Sequence, residues 1–172
     1  VICKNKSELD RHQAVQTMIK GLNRRYFWQN REWPYKNVRP RIIVEEFMED
    51  KKTGELRDYK FFCFDGIVKA LFVASERQKK GEETKFDFFD HEYNHLPIIN
   101  GHPNALLVPE KPSRFEDMKE LASKLSKGFP HLRVDFYEMD DKIYFGELTF
   151  SHWSGIVPFE PVEWDYKFGE WL

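Results

Sequence analysis

RVDFYEMDDKIYFGELT, Arg133 to Thr149, holds two alternating runs on either side of Asp140-Asp141. Residues of period two with a pair of turn-forming acids between them predict a β-hairpin. On the first strand Arg133, Asp135 and Tyr137 share one face, with Val134 and Phe136 on the other. On the second, Phe145, Glu147 and Thr149 share a face. If the loop is Asp140, Asp141 and Lys142, Asp135 stands opposite Glu147 and Arg133 opposite Thr149; a loop of only two residues puts the acids on opposite faces. The first register sets two carboxylates roughly 5 Å apart, which is destabilising unless a cation lies between them. Mg²⁺ suits such a pair, because it takes one or two carboxylates plus phosphate oxygens, and Arg133 beside it would meet further negative charge. Spacing alone leaves equally open a pair of solvated acids neutralised by Arg133.

Working outward, DYKFFCF and IVKALFVA flank Asp65-Gly66, and that dipeptide between two β-rich runs predicts a hairpin from Asp58 to Ala74. Asp58 and Lys60 then share a face, a carboxylate and an ammonium suited to ribose and phosphate, while Tyr59, Phe61 and Cys63 form core. A solvent-facing Asp/Lys ladder fits the same spacing. KFDFF, from Lys85, reads as a further strand. Ser113 and Glu116 form a capping box for a helix whose apolar face is Phe115, Met118, Leu121, Ala122 and Leu125, closed by Gly128 and Pro130.

Nearer the start, Ser7 and Asp10 precede Ala14, Met18 and Leu22 at helical spacing, so a helix is expected over Glu8 to Lys20. Residues 24–40, interrupted by Pro34 and Pro40, read as an irregular aromatic connection. RIIVEEFM, Arg41 to Met48, reads as a buried strand. Glu45 and Glu46 at its end need partners, and a strand edge with open backbone groups suits a purine, with an acid for its amino group. The tail from Ser151 keeps its aromatics without periodicity and should wrap over the body.

The 172 residues carry 27 Lys+Arg against 29 Asp+Glu, a formal charge of -2, so composition supplies no general attraction toward nucleic acid or an anionic membrane. Aromatics reach 16%, which excludes a disordered chain. No apolar window approaches the length of a membrane span. Cys3 and Cys63 make neither a disulfide scaffold nor a zinc ribbon, so a cytoplasmic setting is expected. His91-Glu92-Tyr93-Asn94-His95 matches the HExxH string of zinc hydrolases, but that chemistry needs a helix and Pro97 follows closely. His102 and His152 read as surface or hydrogen-bonding residues.

The order IIVEEFM, DYKFFCFDG, FFDHEYNHLP, a capped helix ending LSKGFP, RVDFYE and YFGELTF resembles the TupA-like branch of the ATP-grasp superfamily, over nearly the whole chain. The resemblance implies an α+β, two-lobed α/β fold with an antiparallel sheet and flanking helices. Residues 1–44 would end the first lobe, and residues 45–172 would form the second with its hinge strand and metal-binding hairpin. It also implies ATP and Mg²⁺ as cofactors. Glu45, Glu46, Phe47 and Met48 would receive adenine, Asp58 the ribose, and Lys60 the phosphates. Asp135 and Glu147 match the metal carboxylates, with Thr149 where the general signature has asparagine, and Arg133 matches the catalytic arginine. Ser154 and Gly155 would touch the acceptor, a sugar or amino-acid carboxylate. The implied activity is a carboxylate-amine ligase forming an acyl phosphate in surface polysaccharide or teichuronopeptide biosynthesis. The glycine-rich loop and strand lysine of such enzymes would precede Val1, so the chain is expected to be the back part of a longer enzyme. A glycosyltransferase, a non-catalytic nucleotide-binding remnant and, more remotely, a zinc hydrolase are the alternatives; no DxD motif at a strand end favours the first of these. The sequence is silent on oligomeric state.

Overall fold

Asp65 and Gly66 both take left-handed φ values, 46° and 77°, the geometry that lets a two-residue turn follow the twist of its strands. They join β1 (Asp58–Phe64) to β2 (Ile67–Ser75) as the spacing predicts. In the computed structural model, which describes residues 1–51, 54–77, 81 and 83–172, the chain divides into two units, Val1–Met48 and Glu49–Leu172.

The second unit is built on a six-stranded antiparallel sheet. β3 (Lys85–Asp90) and the short β4 (His95–Leu96) extend it beyond β2, and β5 (Leu132–Met139) and β6 (Lys142–Thr149) extend it beyond β1, giving the order β4-β3-β2-β1-β5-β6. β1 is therefore central, and every residue of it is buried. Its alternation sorts two cores. Tyr59, Phe61 and Cys63 face a helix, α3 (Phe115–Ser126), whose Phe115, Met118 and Ala122 close over Leu132, Val134 and Phe136. Phe62 and Phe64 face the other way and pack with Phe72, Phe88 and Phe168. Burial of each such ring contributes about 1.5–3 kcal/mol.

Two expectations for this unit are corrected. Ser113 does not cap α3; its hydroxyl donates to Glu138 Oε1, and the cap position falls to Arg114. The Glu138 carboxylate from β5 thus serves the helix start, where negative charge is favoured. The tail is also more regular than its composition suggests. It contains a helix, Glu163–Glu170, whose Phe168 is buried with Trp164 and Trp171 packed alongside.

In the first unit Asp10 Oδ1 accepts from the Gln13 amide at 2.9 Å, so the first helix, α1 (Arg11–Leu22), starts later than expected. Ser7 belongs to a separate turn, where Asn5 Oδ1 accepts from its amide and hydroxyl. The aromatic connection contains a helical turn, α2 (Phe27–Asn30), and a 3₁₀ turn, Trp33–Tyr35, with Trp28 and Trp33 edge-on to Phe27. The strand expected over Arg41–Met48 does not form: these residues lie in no strand, and Ile43 and Val44 are 81% and 87% exposed. An apolar run has β-propensity only as far as a neighbouring strand supplies its hydrogen bonds.

Candidate functional site

The face of β1 that carries Phe62 also carries Asp58 and Lys60, and the register of β5 sets Lys60 beside Asp135 and Phe62 beside Arg133. Asp58 and Asp135 are each 1% exposed and Lys60 is 9% exposed, so the solvent-facing ladder is excluded. Buried charges require partners, and the ones here are shared. Lys60 Nζ contacts Asp135 Oδ2, lies 2.8 Å from Asp58 Oδ2 and reaches Glu147 Oε1 at 3.8 Å. Arg77, two residues past the end of β2, holds Asp58 Oδ2 at 2.8 Å. The other Asp58 oxygen, Oδ1, is buried without a hydrogen-bond partner. Burial pushes the Asp58 carboxyl above its ordinary value, against the pull of Lys60 and Arg77.

The hairpin of β5 and β6 reaches its register by an unexpected route. Asp140 and Asp141 form a two-residue left-handed turn with Met139 opposite Lys142, the loop that by itself sends the acids to opposite faces. A β-bulge between Val134 and Phe136 then inserts one residue on the β6 side, and beyond it Arg133 stands opposite Thr149. Gly146 sits in this bulge. A Cβ there would come within 3.0 Å of the Asp135 carbonyl oxygen and 3.2 Å of the Tyr137 ring, so the close passage needs glycine.

The bulge brings the three expected metal ligands to one point. Arg133 Nη2 donates to Asp135 Oδ2 at 2.8 Å, Glu147 Oε1 at 2.9 Å and Thr149 Oγ1 at 2.8 Å. Arg133 Nε meets Asp135 Oδ1 at 2.8 Å, completing a two-pronged pair. A cationic nitrogen thus occupies the position where two carboxylates and a hydroxyl converge. Among the described residues no three His, Cys, Asp or Glu side chains are gathered for a metal ion. The set present, two carboxylates and a hydroxyl, suits Mg²⁺, which completes its shell with water and phosphate oxygens. The donors fit the ion provided the guanidinium nitrogen yields its place.

Sequence reasoning missed three members of this cluster. Arg133 Nη1 lies 2.6 Å from His152 Nδ1, and His152 Nε2 lies 2.8 Å from Asn100 Oδ1. Arg77 is the third. By sequence His152 is a surface or hydrogen-bonding residue, and nothing in its spacing points to Arg133, because the contact depends on a turn. Trp153, Ser154 and Gly155 in succession have left-handed φ values of 48°, 56° and 72°. Ser151 and Gly155 line a cavity of about 400 Å³ that also borders His152, Phe62, Phe159 and Phe168.

Glu45, Glu46, Phe47 and Met48 fall in the first unit, outside any helix or strand. The HExxH string forms a turn leading into β4. Asp90 Oδ1 accepts from the amides of Glu92 and Asn94, and His95 points to Asp87 at 3.3 Å, so its histidines do not share a helical face. Among the described residues no helix is long and apolar enough to cross a membrane.

A family model described as TupA-like ATPgrasp matches residues 1–172, the entire chain. The protein belongs to this family, whose ATP-grasp type of fold agrees with the antiparallel sheet and flanking helices, and which implies ATP as a ligand and a ligase-like class of enzyme. Comparison with curated proteins and with solved structures gave no match.

Proposed function

We propose that the chain acts in Mg-ATP-dependent activation of a carboxylate, by the acyl-phosphate route of carboxylate-amine ligases, in surface polysaccharide or teichuronopeptide biosynthesis. The observation that carries this reading is the convergence of Asp135, Glu147 and Thr149 on the single point held by Arg133 Nη2. Asp135, Glu147 and Thr149 are the residues assigned to Mg²⁺, which with ATP supplies an activated phosphoryl group and screens its charge. Arg133, displaced from between the carboxylates, presents donors to the phosphoryl oxygens as the acceptor carboxylate takes the γ-phosphoryl group and ADP leaves. An amine then displaces phosphate. Lys60 is assigned to the ATP phosphates and Asp58 to the ribose, whose hydroxyl would supply the donor that Asp58 Oδ1 lacks. Glu45, Glu46, Phe47 and Met48 are assigned to adenine on the family pattern alone. Ser154 and Gly155 are assigned to the acceptor, a sugar or amino-acid carboxylate, and the cavity that Gly155 lines supports this assignment.

Calorimetric titration of the full chain with ATP, with and without Mg²⁺, tests the proposal. Asp135 is buried against two cations, so the informative variant is Glu147→Gln, at a side chain 58% exposed. Mg²⁺-dependent ATP binding weakened at least tenfold in Glu147→Gln is expected; absence of any Mg-ATP response in the wild-type chain overturns the reading.

A further inference from the structure

The neighbours of His152 leave its ring one arrangement. A guanidinium has donors only, so His152 Nδ1, 2.6 Å from Arg133 Nη1, is an acceptor. Asn100 is 1% exposed, and its Nδ2 donates to the backbone carbonyls of Val157 and Pro158 at 3.1 and 3.0 Å. Its Oδ1 therefore faces His152 Nε2, which must carry the proton. Both ends of the imidazole select the same neutral tautomer.

The segment that presents His152 is gripped at a second place. The Trp153 ring packs against Gly101, where a Cβ would come within 3.1 Å of the indole and where φ is +74°. Asn100-Gly101 thus holds His152-Trp153 by one hydrogen bond and one ring contact. Ile99 and Glu160 bridge the same two segments through paired backbone hydrogen bonds of 2.9 and 2.8 Å. The residues around the ring are Phe62, Phe72, Trp153 and Phe159, and the titratable groups acting on it are Arg133, Lys60 and His131.

We propose that His152, oriented by Asn100, is a positioning residue that fixes the Arg133 guanidinium so that Nη2 points between Asp135, Glu147 and Thr149. Asp135 already engages Nε and Nη2; His152 takes Nη1, the edge that would otherwise be loose, and so sets the direction in which the guanidinium plane is offered. An acceptor without charge suits this task, since a second carboxylate there would compete with Asp135 and a protonated imidazole would repel Arg133. Burial, with Arg133 and Lys60 adding to it, lowers the His152 pKa to about 2, so the ring stays neutral. The consequence for nucleotide binding rests on the function proposed above; the placement of Arg133 does not.

Two sets of measurements test this inference. Long-range ¹H–¹⁵N spectra of the wild-type chain without nucleotide should show His152 with Nε2 protonated and Nδ1 bare from pH 5 to pH 8; the other tautomer overturns the proposal. In the same spectra the Arg133 Nη1 protons should be slow to exchange, should lose that protection in His152→Ala, and should regain it in His152→Gln, whose amide oxygen can accept. Nη1 signals unchanged in His152→Ala overturn it. If His152→Ala does not fold, Asn100→Ala should keep the tautomer that Arg133 selects but free the ring, so that the His152 Nε2 proton and the Arg133 Nη1 protons both exchange faster; unchanged exchange of Nη1 there overturns it. Where the wild type binds Mg-ATP, the ion takes the place that His152 fixes for Nη2, so His152→Ala should strengthen the Mg²⁺-dependent binding at least fivefold and His152→Gln should restore the wild-type value; equal affinity in His152→Ala overturns the proposal. A wild type that binds no Mg-ATP overturns the ligase reading and leaves the spectra to decide the positioning role.

Discussion

Gly146 passes so close to the Asp135 backbone that a β-carbon on it would stand 3.0 Å from the Asp135 carbonyl oxygen. That contact lies in the bulge that returns Glu147 and Thr149 to the face of Arg133. Gly146→Ala forces the bulge open or the strand aside, an overpacking that costs about 1–3 kcal/mol. The urea midpoint should fall accordingly, and Mg-ATP affinity should fall with it; an unchanged midpoint would show that the strands have room to adjust.

Lys60 stands between two carboxylates that are each 1% exposed. Lys60→Met keeps the aliphatic stem and removes the charge, leaving Asp58 and Asp135 facing one another. Breaking a buried ion pair from one side costs about 3–5 kcal/mol. The double variant Lys60→Met/Asp58→Asn should recover part of that loss in equilibrium unfolding, since the repulsion then disappears; a double variant no more stable than the single one contradicts the pairing.

Acidity should weaken the fold through His152. Its folded pKa, about 2, lies below the value near 6.5 of an unfolded histidine. Below pH 6.5 the unfolded chain binds the extra proton, so stability present at neutral pH declines as the pH falls from 6.5 toward 2. At pH 5 this one group removes about 2 kcal/mol. His131, also lowered by burial, acts in the same sense. Asp58, raised by burial, opposes them, because its contribution is largest below its unfolded value and fades as pH rises through its folded one. Melting curves between pH 7 and pH 5 should show the decline, with a smaller slope in His152→Gln.

Phe61 is fully buried between Phe115 of α3 and Phe136 of β5. Phe61→Ala removes the ring that joins helix to sheet and should cost about 3–5 kcal/mol in urea unfolding. A loss under 1 kcal/mol would mean that α3 settles into the space.

Much of the sheet was legible because its turns announce themselves. Asp65-Gly66 and Asp140-Asp141 are residues that accept left-handed backbone, and the runs beside them alternate. The bulge was not legible. Phe145, Glu147 and Thr149 keep a period of two on paper, and only the pairing shows where one residue is extra. The apolar run at Ile42, Ile43 and Val44 looked like a strand for want of any signal about a partner. Trp164, Phe168 and Trp171 did carry a helical stripe, at spacings of four and three, hidden by the prolines and aromatics before it. The three convergent ligands could be named from the sequence, whereas Asn100, His152 and Arg77 come from separate loops and strand ends, and no local pattern relates them to Arg133.

The ion pairs around Lys60 and Arg133 join three acids, Asp58, Asp135 and Glu147, to three bases, Lys60, Arg77 and Arg133. Their formal charges cancel within a few ångströms, so the cluster projects little field beyond the Debye length of about 8 Å at physiological salt. A charged ligand arriving there is not drawn in from a distance and meets these residues only on contact. Its association rate should therefore respond weakly to ionic strength, while its dissociation depends on how completely it replaces the pairs it disrupts.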